Sequence, residues 1–532
     1  MNKNKNLSIN DAFNIALVNH KKNNLKEAQI LYNKILKVKP NYIQVHNNLG
    51  VIFSQLGEDQ KAKECYEKTI KINPNNIEAH NNLGVLFVKL GKDQKAKLSF
   101  EKAIEINPDY ANAHNNLGSI FQKNNFEKAI SCYETAIKIN PNYADPHNNL
   151  AKIFKLLGEY KKAKSEYEKV IEINPNYISA YNNLGVIYVK LGEDQKAINY
   201  YEKAIKINPN YTDAHYNLAV ALKALGEYQK AKLSYEKVIE INPNYISAHN
   251  NLGNIFLILK NYQKAKSCYE KVIEIDPNFT IAYNNLGVVY QEMGEHLKAI
   301  NVYKKAITVI PNNIIINGLS DLFKSIKLGN VTKANSKELK ELFLFLYREN
   351  SINHDDVFNN SKLLLFLGDN KDQLKQTVSS KSSLLQNKII QNLLKEELFL
   401  LMLQKSLMAD KFLEKLLTKL RNEILFILMD SNQNNLKEYF NFIVSLAEQC
   451  FLNEYVYSQS EKETNSLNKL INRVKKNKKI NELDVAILGC YFPLYSLKDI
   501  ANKLIKYKSD NILFDDLIAI HIAEPLKETK LA

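Results

Sequence analysis

Nine prolines divide the first three hundred residues into segments of nearly equal length. They stand at Pro40, Pro74, Pro108, Pro141, Pro175, Pro209, Pro243, Pro277 and Pro311. Neighbouring prolines are 34 residues apart, except for one interval of 33 residues. A fixed period of about 20 to 50 residues indicates stacked copies of one supersecondary unit, and a chain of 532 residues is too long for one compact core. The period therefore predicts a repeat array.

Each period contains two apolar segments at helical spacing, for example "AHNNLGVLFVKLG" and "DQKAKLSFEKAIEINP". A glycine or a short polar turn separates the segments, and the proline ends the second one. The recurring positions of the third period are His80, Leu83, Gly84, Phe87, Ala96, Phe100 and Pro108. We expect the small residues Gly84 and Ala96 to let two helices approach closely, and the aromatic residues to fill the space toward the next unit.

This order of residue types resembles the tetratricopeptide (TPR) repeat. The resemblance implies an all-α fold, a right-handed TPR superhelix of about nine helix-turn-helix repeats with a concave inner wall, followed by a separate helical domain. The predicted organisation is a flexible N-terminus at 1–8, nine TPR repeats at 9–313, a capping helix at 314–330 and an all-helical domain at 331–532. The repeats span 9–42, 43–76, 77–110, 111–143, 144–177, 178–211, 212–245, 246–279 and 280–313.

Two neighbouring amides recur in the motif "NNLG" at the first helix of each repeat. From the second repeat on, the second amide is invariant: Asn48, Asn82, Asn116, Asn149, Asn183, Asn217, Asn251 and Asn285. The first amide is kept in seven of these eight repeats, with Tyr216 as the exception. An asparagine amide has donors and an acceptor that can pair with a peptide backbone whatever its side chains. These eight asparagines are therefore candidate peptide-binding residues.

The array at 43–313 resembles that of the protein O-GlcNAc transferases. That resemblance implies an asparagine ladder that grips the backbone of a protein or peptide partner. A second interpretation stays open, in which recently duplicated repeats keep amides that only form hydrogen bonds between neighbouring helices.

The histidines of the same motif do not predict a metal site. They are His46, His80, His114, His147, His215 and His249. Ligands one repeat apart cannot converge on one ion at about 2 Å, and TPR repeats keep a packed aromatic residue at this position. We therefore expect no metal.

The charge pattern argues against nucleic acid as the partner. The net charge is +15, but Arg348, Arg421 and Arg473 are the only arginines among 72 basic residues, whereas phosphate and base recognition relies on guanidinium groups. The basic run "NRVKKNKK" at 472–479 is interpreted as a solvated linker. No apolar run approaches the roughly 20 residues of a membrane span, no secretory signal is evident, and five cysteines without a CxxC pair suggest reduced thiols. We expect a cytoplasmic protein.

The last two hundred residues are leucine-rich and helix-like, and no catalytic or cofactor motif was found in them. Four glycines follow the array, too few and too dispersed for a phosphate-binding loop, and neither GxSxG nor HExxH occurs. We therefore predict no catalytic residue and no cofactor, and do not predict an enzyme from these 532 residues.

The segments "FLEKLLTKLRNEIL", "LAEQCFLNEYVY", "AILGCYFPLYSL" and "AEPLKETKLA" resemble the helical region that precedes the catalytic domain in bacterial TPR-linked, S-adenosylmethionine-dependent methyltransferases. The match covers about 411–532 and implies a bacterial protein. Two hypotheses follow. One is a scaffold that binds an extended polypeptide along the asparagine-lined groove. The other is the substrate-recruiting region of a methyltransferase, or of a glycosyltransferase, whose catalytic domain lies beyond Ala532 or on a partner chain.

Overall fold

The computed structural model describes residues 8–310, 312–325, 333–366, 370–380, 382–407, 410–430, 436–452 and 459–523. The chain divides into two compact units, Met1–Ala248 and His249–Ala532. Every regular element in the described residues is helical, which confirms the predicted all-α class. The predicted flexible segment at 1–8 lies outside the described residues except for Ser8, whose hydroxyl accepts a hydrogen bond from the backbone N–H of Asp11.

The first unit is built from consecutive antiparallel helix pairs. Its helices are α1 (Ile9–Lys21), α2 (Leu25–Val38), α3 (Ile43–Gln55), α4 (Asp59–Ile72), α5 (Ile77–Lys89), α6 (Asp93–Ile106), α7 (Ala111–Phe121), α8 (Phe126–Ile139), α9 (Ala144–Leu156), α10 (Tyr160–Ile173), α11 (Ile178–Lys190), α12 (Asp194–Ile207), α13 (Thr212–Ala224) and α14 (Tyr228–Ile241). Each odd-numbered helix packs against the even-numbered helix that follows it, and each pair is one predicted repeat. The helix-turn-helix prediction is confirmed.

A glycine on the first helix of a repeat makes room for an aromatic ring from the second. A Cβ atom added at Gly84 would lie 2.5 Å from a ring carbon of Phe100, and Phe100 is almost fully buried. The turn that follows needs a second glycine, because Gly91 has φ +69° and L side chains rarely adopt this conformation. The sequence position of each glycine thus sets the contact between the helices and the turn that joins them.

The 33-residue repeat differs from the others in its first helix. Helix α7 has 11 residues, whereas α5 has 13. The sequence places the missing residue in the turn between two helices, but α7 itself ends early and the turn runs from Gln122 to Asn125. The absent residue therefore shortens the helix. The turn after α7 contains no residue with positive φ, whereas Gly91 supplies one in the shorter turn after α5.

The second unit begins with two further repeats and continues with shorter helices. Its elements are α15 (Ile246–Ile258, starting just before the boundary), α16 (Tyr262–Ile275), α17 (Thr280–Glu292), α18 (His296–Val309), α19 (Asn313–Ser325), α20 (Lys333–Arg348), α21 (Asp355–Leu365), α22 (Asn370–Ser379), α23 (Lys388–Leu394), α24 (Glu397–Lys405), α25 (Lys411–Met429), α26 (Phe440–Leu452), α27 (Glu461–Lys476), α28 (Glu482–Gly489), α29 (Lys498–Leu504) and α30 (Ile512–Ile518). Short 3₁₀ turns lie at Lys437–Tyr439 and Leu494–Ser496, and a π-helical turn lies at Ala519–Ala523.

Helix α19 packs on both helices of the last repeat, α17 and α18. It occupies most of the predicted capping segment at 314–330, of which 326–330 lie outside the described residues. The predicted domain boundary at 331 stays a prediction.

The basic run at 472–479 is helical as far as Lys476, so its interpretation as a linker was wrong, although most of its side chains are exposed to solvent. Helix α27 continues to Lys476. Arg473 donates two hydrogen bonds, of 3.0 and 2.7 Å, to the buried carboxylate of Asp484. The sequence did not predict a helix here because polar residues separate the buried apolar residues of α27, which are Leu467, Leu470 and Val474.

Candidate functional site

The second asparagine of each repeat lies half-buried on the first helix of its helix pair. In the first unit these residues belong to α3, α5, α7, α9, α11 and α13. We call the side of these six helices that carries Asn48, Asn82, Asn116, Asn149, Asn183 and Asn217 the asparagine face. Asn251 and Asn285 occupy the same positions on α15 and α17 of the second unit, and they too are half-buried.

Most of these asparagines donate a hydrogen bond to the first asparagine of the preceding repeat. In the first unit the Nδ2–Oδ1 distances are 3.2 Å for Asn82 to Asn47, 2.9 Å for Asn116 to Asn81, 3.2 Å for Asn149 to Asn115 and 3.0 Å for Asn217 to Asn182. Asn285 makes the equivalent 3.4 Å bond to Asn250 in the second unit. The amides therefore do connect neighbouring first helices, as the second interpretation of the sequence proposed.

The inter-repeat bond by itself uses one N–H of a second asparagine, although some copies form further bonds: Oδ1 of Asn116 accepts a 3.5 Å bond from Asn115, and Nδ2 of Asn285 also donates a 3.2 Å bond to Asn254. An amide has two N–H donors and an acceptor oxygen. Asn82, for example, uses one N–H for Asn47, and its oxygen has no partner among the described residues. The bond fixes the side chain in one orientation and leaves a donor and an acceptor at a partly exposed surface. Repeat packing and backbone recognition are therefore compatible roles for the same amide.

The asparagine of the sixth repeat breaks this pattern. Oδ1 of Asn183 accepts a 2.9 Å hydrogen bond from Nζ of Lys155 on α9. Burial and the neighbouring charge of Lys152 lower the pKa of Lys155. The expected acceptor one repeat earlier, Oδ1 of Asn148, is buried and has no partner among the described residues. The position where Lys155 bonds to Asn183 is thus also the position where the inter-repeat bond between Asn183 and Asn148 is absent.

Aliphatic side chains lie beside the asparagines on several of these helices. Residues three apart on a helix share a face, so Val85 and Val88 continue the surface that Asn82 begins on α5. Val85 and Val88 are 46% and 39% exposed, and Val189 and Val220 on later repeats are 38% and 41% exposed. The asparagine face therefore combines amides with accessible apolar area.

The motif histidines tie the first helix of a repeat to the end of the preceding repeat. Nε2 of His46, His80, His114 and His215 lies 2.7, 2.9, 2.8 and 2.9 Å from the carbonyl oxygen of the proline six residues earlier. His147 is buried, and its Nδ1 lies 2.7 Å from Oε2 of Glu166. The described residues contain no group of three or more potential metal ligands. The proline contact was missed by the sequence analysis, although the fixed six-residue spacing is visible in every copy.

The second unit contains a buried polar cluster away from the repeats. The Arg421 guanidinium lies 4.3 Å from the ring centroid of Tyr491 and 3.8 Å from the carboxylate of Glu463. All three side chains are buried. Cys450 is buried nearby, and burial raises its thiol pKa to about 12 despite the opposing charge of Arg421. The cysteine is therefore a protonated thiol at neutral pH, and the cluster serves the packing of α25, α26 and α27.

Models of the tetratricopeptide repeat match the chain from residue 12 to residue 313. "Tetratricopeptide repeat" models match 12–42, 43–76, 65–97, 178–211, 212–245, 246–279 and 280–313, and "TPR repeat" models match 86–125, 119–158 and 151–192. The chain belongs to the tetratricopeptide repeat family. Membership supports a role of this TPR protein as a protein-interaction scaffold. No curated protein matches the sequence.

Several solved TPR structures are similar to part of the chain. MamA is 27% identical, with 31% of this chain and 90% of that chain covered and a TM-score of 0.30. YrrB, described as a TPR protein with an unusual peptide-binding site, is 27% identical over 34% of this chain and 95% of its own, with a TM-score of 0.31. A TPR protein from Cytophaga hutchinsonii is 20% identical, with 45% of this chain and 98% of that chain covered and a TM-score of 0.38. These TM-scores are too low to support a functional argument.

No helix in the described part of the chain is long and apolar enough to cross a membrane. The predicted cytoplasmic location and bacterial origin stay predictions.

Proposed function

We propose that the protein is an interaction scaffold that binds an extended polypeptide along the asparagine face. The observation that carries this proposal is the partial use of the second asparagines that form an inter-repeat bond: one N–H bonds to the preceding repeat, while polar capacity remains at a half-exposed surface. The inter-repeat bond holds the amide in place before a ligand arrives, which lowers the entropy cost of binding.

Backbone recognition follows from the chemistry of the amide. A peptide bond presents an N–H and a C=O, and a carboxamide can pair with both. First helices that pack about 8 to 10 Å apart would place one asparagine for roughly every three residues of an extended peptide. The exposed valines add apolar contact without requiring a particular side-chain shape.

The alternative role as the substrate-recruiting region of a methyltransferase or glycosyltransferase, with a catalytic partner, rests on the sequence resemblance alone. No observation in the described residues favours it over a scaffold.

The test separates peptide binding from repeat packing with two substitutions on either side of one hydrogen bond. Asn116→Ala removes the donor on the asparagine face, whereas Asn81→Ala removes the buried acceptor of the same bond. The probe is a peptide selected on the full chain from a phage-displayed library of random 16-residue sequences, and its affinity is measured by fluorescence anisotropy. We expect Asn116→Ala to weaken binding about tenfold and Asn81→Ala to weaken it about twofold.

The combined Asn116→Ala, Asn149→Ala and Asn183→Ala variant should lose binding almost completely while circular dichroism still shows a folded helical array. If the two single variants lose affinity equally, the amides act only in repeat packing. If selection on the wild-type protein enriches no peptide, the scaffold proposal itself is wrong.

A further inference from the structure

Two positions on the asparagine face carry different residue types in different repeats. They lie three and six residues after the second asparagine. In the third, fifth and sixth repeats the pairs are Val85 with Val88, Lys152 with Lys155, and Val186 with Val189. A pair of lysines therefore lies on the asparagine face between two aliphatic patches, separated from the first patch by the polar fourth repeat.

The two lysines of α9 have no carboxylate partner among the described residues. Lys155 bonds to the neutral amide oxygen of Asn183, and Lys152 forms no ion pair with any residue that the structure describes. Two lysines of earlier repeats are paired: Lys89 on α5 lies 2.6 Å from Asp59, and Lys123 in the turn after α7 lies 2.6 Å from Asp93. The fifth repeat therefore contributes an uncompensated positive charge to the asparagine face.

A second observation at the same place is the unpaired oxygen of Asn148. This side chain is 3% exposed, and its Oδ1 has no hydrogen-bond partner in the described part of the chain. A buried acceptor without a partner is destabilising. Asn148 and Asn183 are 35 residues apart, the separation at which Asn81 pairs with Asn116. In the side-chain orientation in which Asn183 accepts from Lys155, its N–H does not bond to Asn148; another orientation of the same amide would satisfy Asn148.

We propose that Lys152 and Lys155 bind one acidic side chain of an extended polypeptide whose flanking residues are aliphatic. This inference rests on the proposed function, since it specifies the partner of the same face. The carboxylate takes the place of the Asn183 amide oxygen as the acceptor for Lys155. Released from Lys155, the Asn183 side chain can turn so that its N–H donates to Asn148, which forms the inter-repeat bond at this position.

The spacing of the repeats sets the spacing expected in the ligand. Taking about 8 to 10 Å per repeat and about 3.3 Å per extended residue, one repeat corresponds to roughly three residues. Val186 and Val189 are one repeat from the lysine pair, and Val85 and Val88 are two repeats away on the other side. The ligand should therefore carry an aliphatic residue roughly three positions from the acidic residue in one direction and roughly six in the other.

The experiment uses the full chain and the same library of random 16-residue peptides on phage. Selection is run in parallel on the wild-type protein, on Lys152→Gln/Lys155→Gln, and on Lys138→Gln/Lys206→Gln. The last variant is a matched control, because it removes the same charge from exposed lysines of the second helices α8 and α12. An enriched peptide and its Glu→Gln or Asp→Asn analogue are then compared by fluorescence anisotropy.

The expected result is enrichment of a single acidic residue flanked by aliphatic residues on the wild type and the control. The Gln or Asn analogue should bind the wild type about tenfold more weakly, while Lys152→Gln/Lys155→Gln should bind both peptides with the same reduced affinity. Enrichment of peptides without an acidic preference overturns this inference and leaves the scaffold proposal standing. Failure to enrich any peptide on the wild type overturns both.

A structural readout tests the release of Asn183 independently of affinity. In the amide side-chain NMR spectrum, the acidic peptide should shift the Asn148 and Asn183 signals, assigned with Asn183→Ala and Asn148→Ala. The neutral analogue should leave these signals unchanged at saturation. Equal shifts with both peptides would contradict the exchange of partners at Lys155.

Discussion

The hydroxyl of Tyr133 donates a 2.9 Å hydrogen bond to Oε1 of Gln122 and lies 3.2 Å from the hydroxyl of Ser119. Tyr167, at the same position in the next repeat, is fully buried, and its hydroxyl has no partner among the described residues. The difference follows from the first helix of each repeat, because Lys152 and Lys155 replace Ser119 and Gln122 and supply no acceptor. Two equivalent tyrosines therefore have opposite hydrogen-bonding states.

We predict that Tyr167→Phe stabilises the array by about 0.5 to 1 kcal/mol, since it removes a buried hydroxyl that lacks a partner. Tyr133→Phe should destabilise the protein by about 1 kcal/mol, because it removes a hydroxyl that forms hydrogen bonds. Phe100 occupies this position in the third repeat, so the ring alone is compatible with the fold. Urea unfolding of both variants gives the comparison, and equal changes in the free energy of unfolding would contradict it.

Gly84→Leu should destabilise the third repeat by about 1 to 3 kcal/mol. Even the first side-chain carbon would lie 2.5 Å from a ring carbon of Phe100, so the helices must separate to accept it. The adjacent Val85→Leu substitution serves as the control, because that side chain is partly exposed, and its effect should stay within about 0.5 kcal/mol. Thermal and urea unfolding measure both. Similar costs at the two positions would contradict the close helix contact.

Lys260→Gly should stabilise the eighth repeat by about 1 kcal/mol. Lys260 has φ +56° at the turn where Gly226 and Gly294 of the neighbouring repeats have φ +77° and +73°. A side chain at positive φ is strained by about 1 to 2 kcal/mol, and glycine relieves that strain at some cost in unfolded-state entropy. Lys260→Ala keeps the Cβ atom and should gain little in a urea melt. An equal gain from alanine would indicate that the lysine charge, not its backbone conformation, is responsible.

Glu448 should make the second unit less stable as pH rises. Burial raises its pKa to about 8, despite a hydrogen bond from Gln404 and the charge of Lys405, and Asp516 adds to the increase. The unfolded carboxyl has its ordinary pKa of about 4.3, so between these values the folded state holds a proton that the unfolded state has released. The free energy of unfolding then falls by up to about 1.4 kcal/mol per pH unit.

The measurement for Glu448 is urea unfolding of wild type and Glu448→Gln between pH 4 and pH 9. The variant should be increasingly more stable than wild type from pH 5 to pH 8, and their difference should be constant above about pH 8. A difference that does not change with pH would show that Glu448 has the same pKa in both states.

The sequence was sufficient to predict the helix pairs, because proline, glycine and aromatic positions recur with the period of the fold. It also placed the second asparagines on the first helices and offered inter-repeat bonding as one of their roles. It did not show that the bond from Asn116 reaches Asn81, since that pairing depends on how neighbouring repeats stack. The engagement of Asn183 by Lys155 was missed for the same reason.

The second unit shows a different limit of prediction. Its leucine-rich segments indicated helices, but nothing in their spacing brings Arg421, Glu463 and Tyr491 together. These residues come from three elements without a common period, so their contacts are determined by tertiary packing alone. A repeat supplies several independent copies of each contact for comparison, and a non-repetitive domain supplies only one.

The histidine bonds and the asparagine bonds both join consecutive repeats, the first across the connecting turn and the second between first helices. Under a stretching force applied to the termini, a helical hairpin detaches from its neighbour only after the bonds at their junction have broken, while the helix contacts inside each hairpin are still intact. The first unit should then lengthen in discrete steps, each releasing one hairpin of 34 residues with a contour length of about 110 to 120 Å.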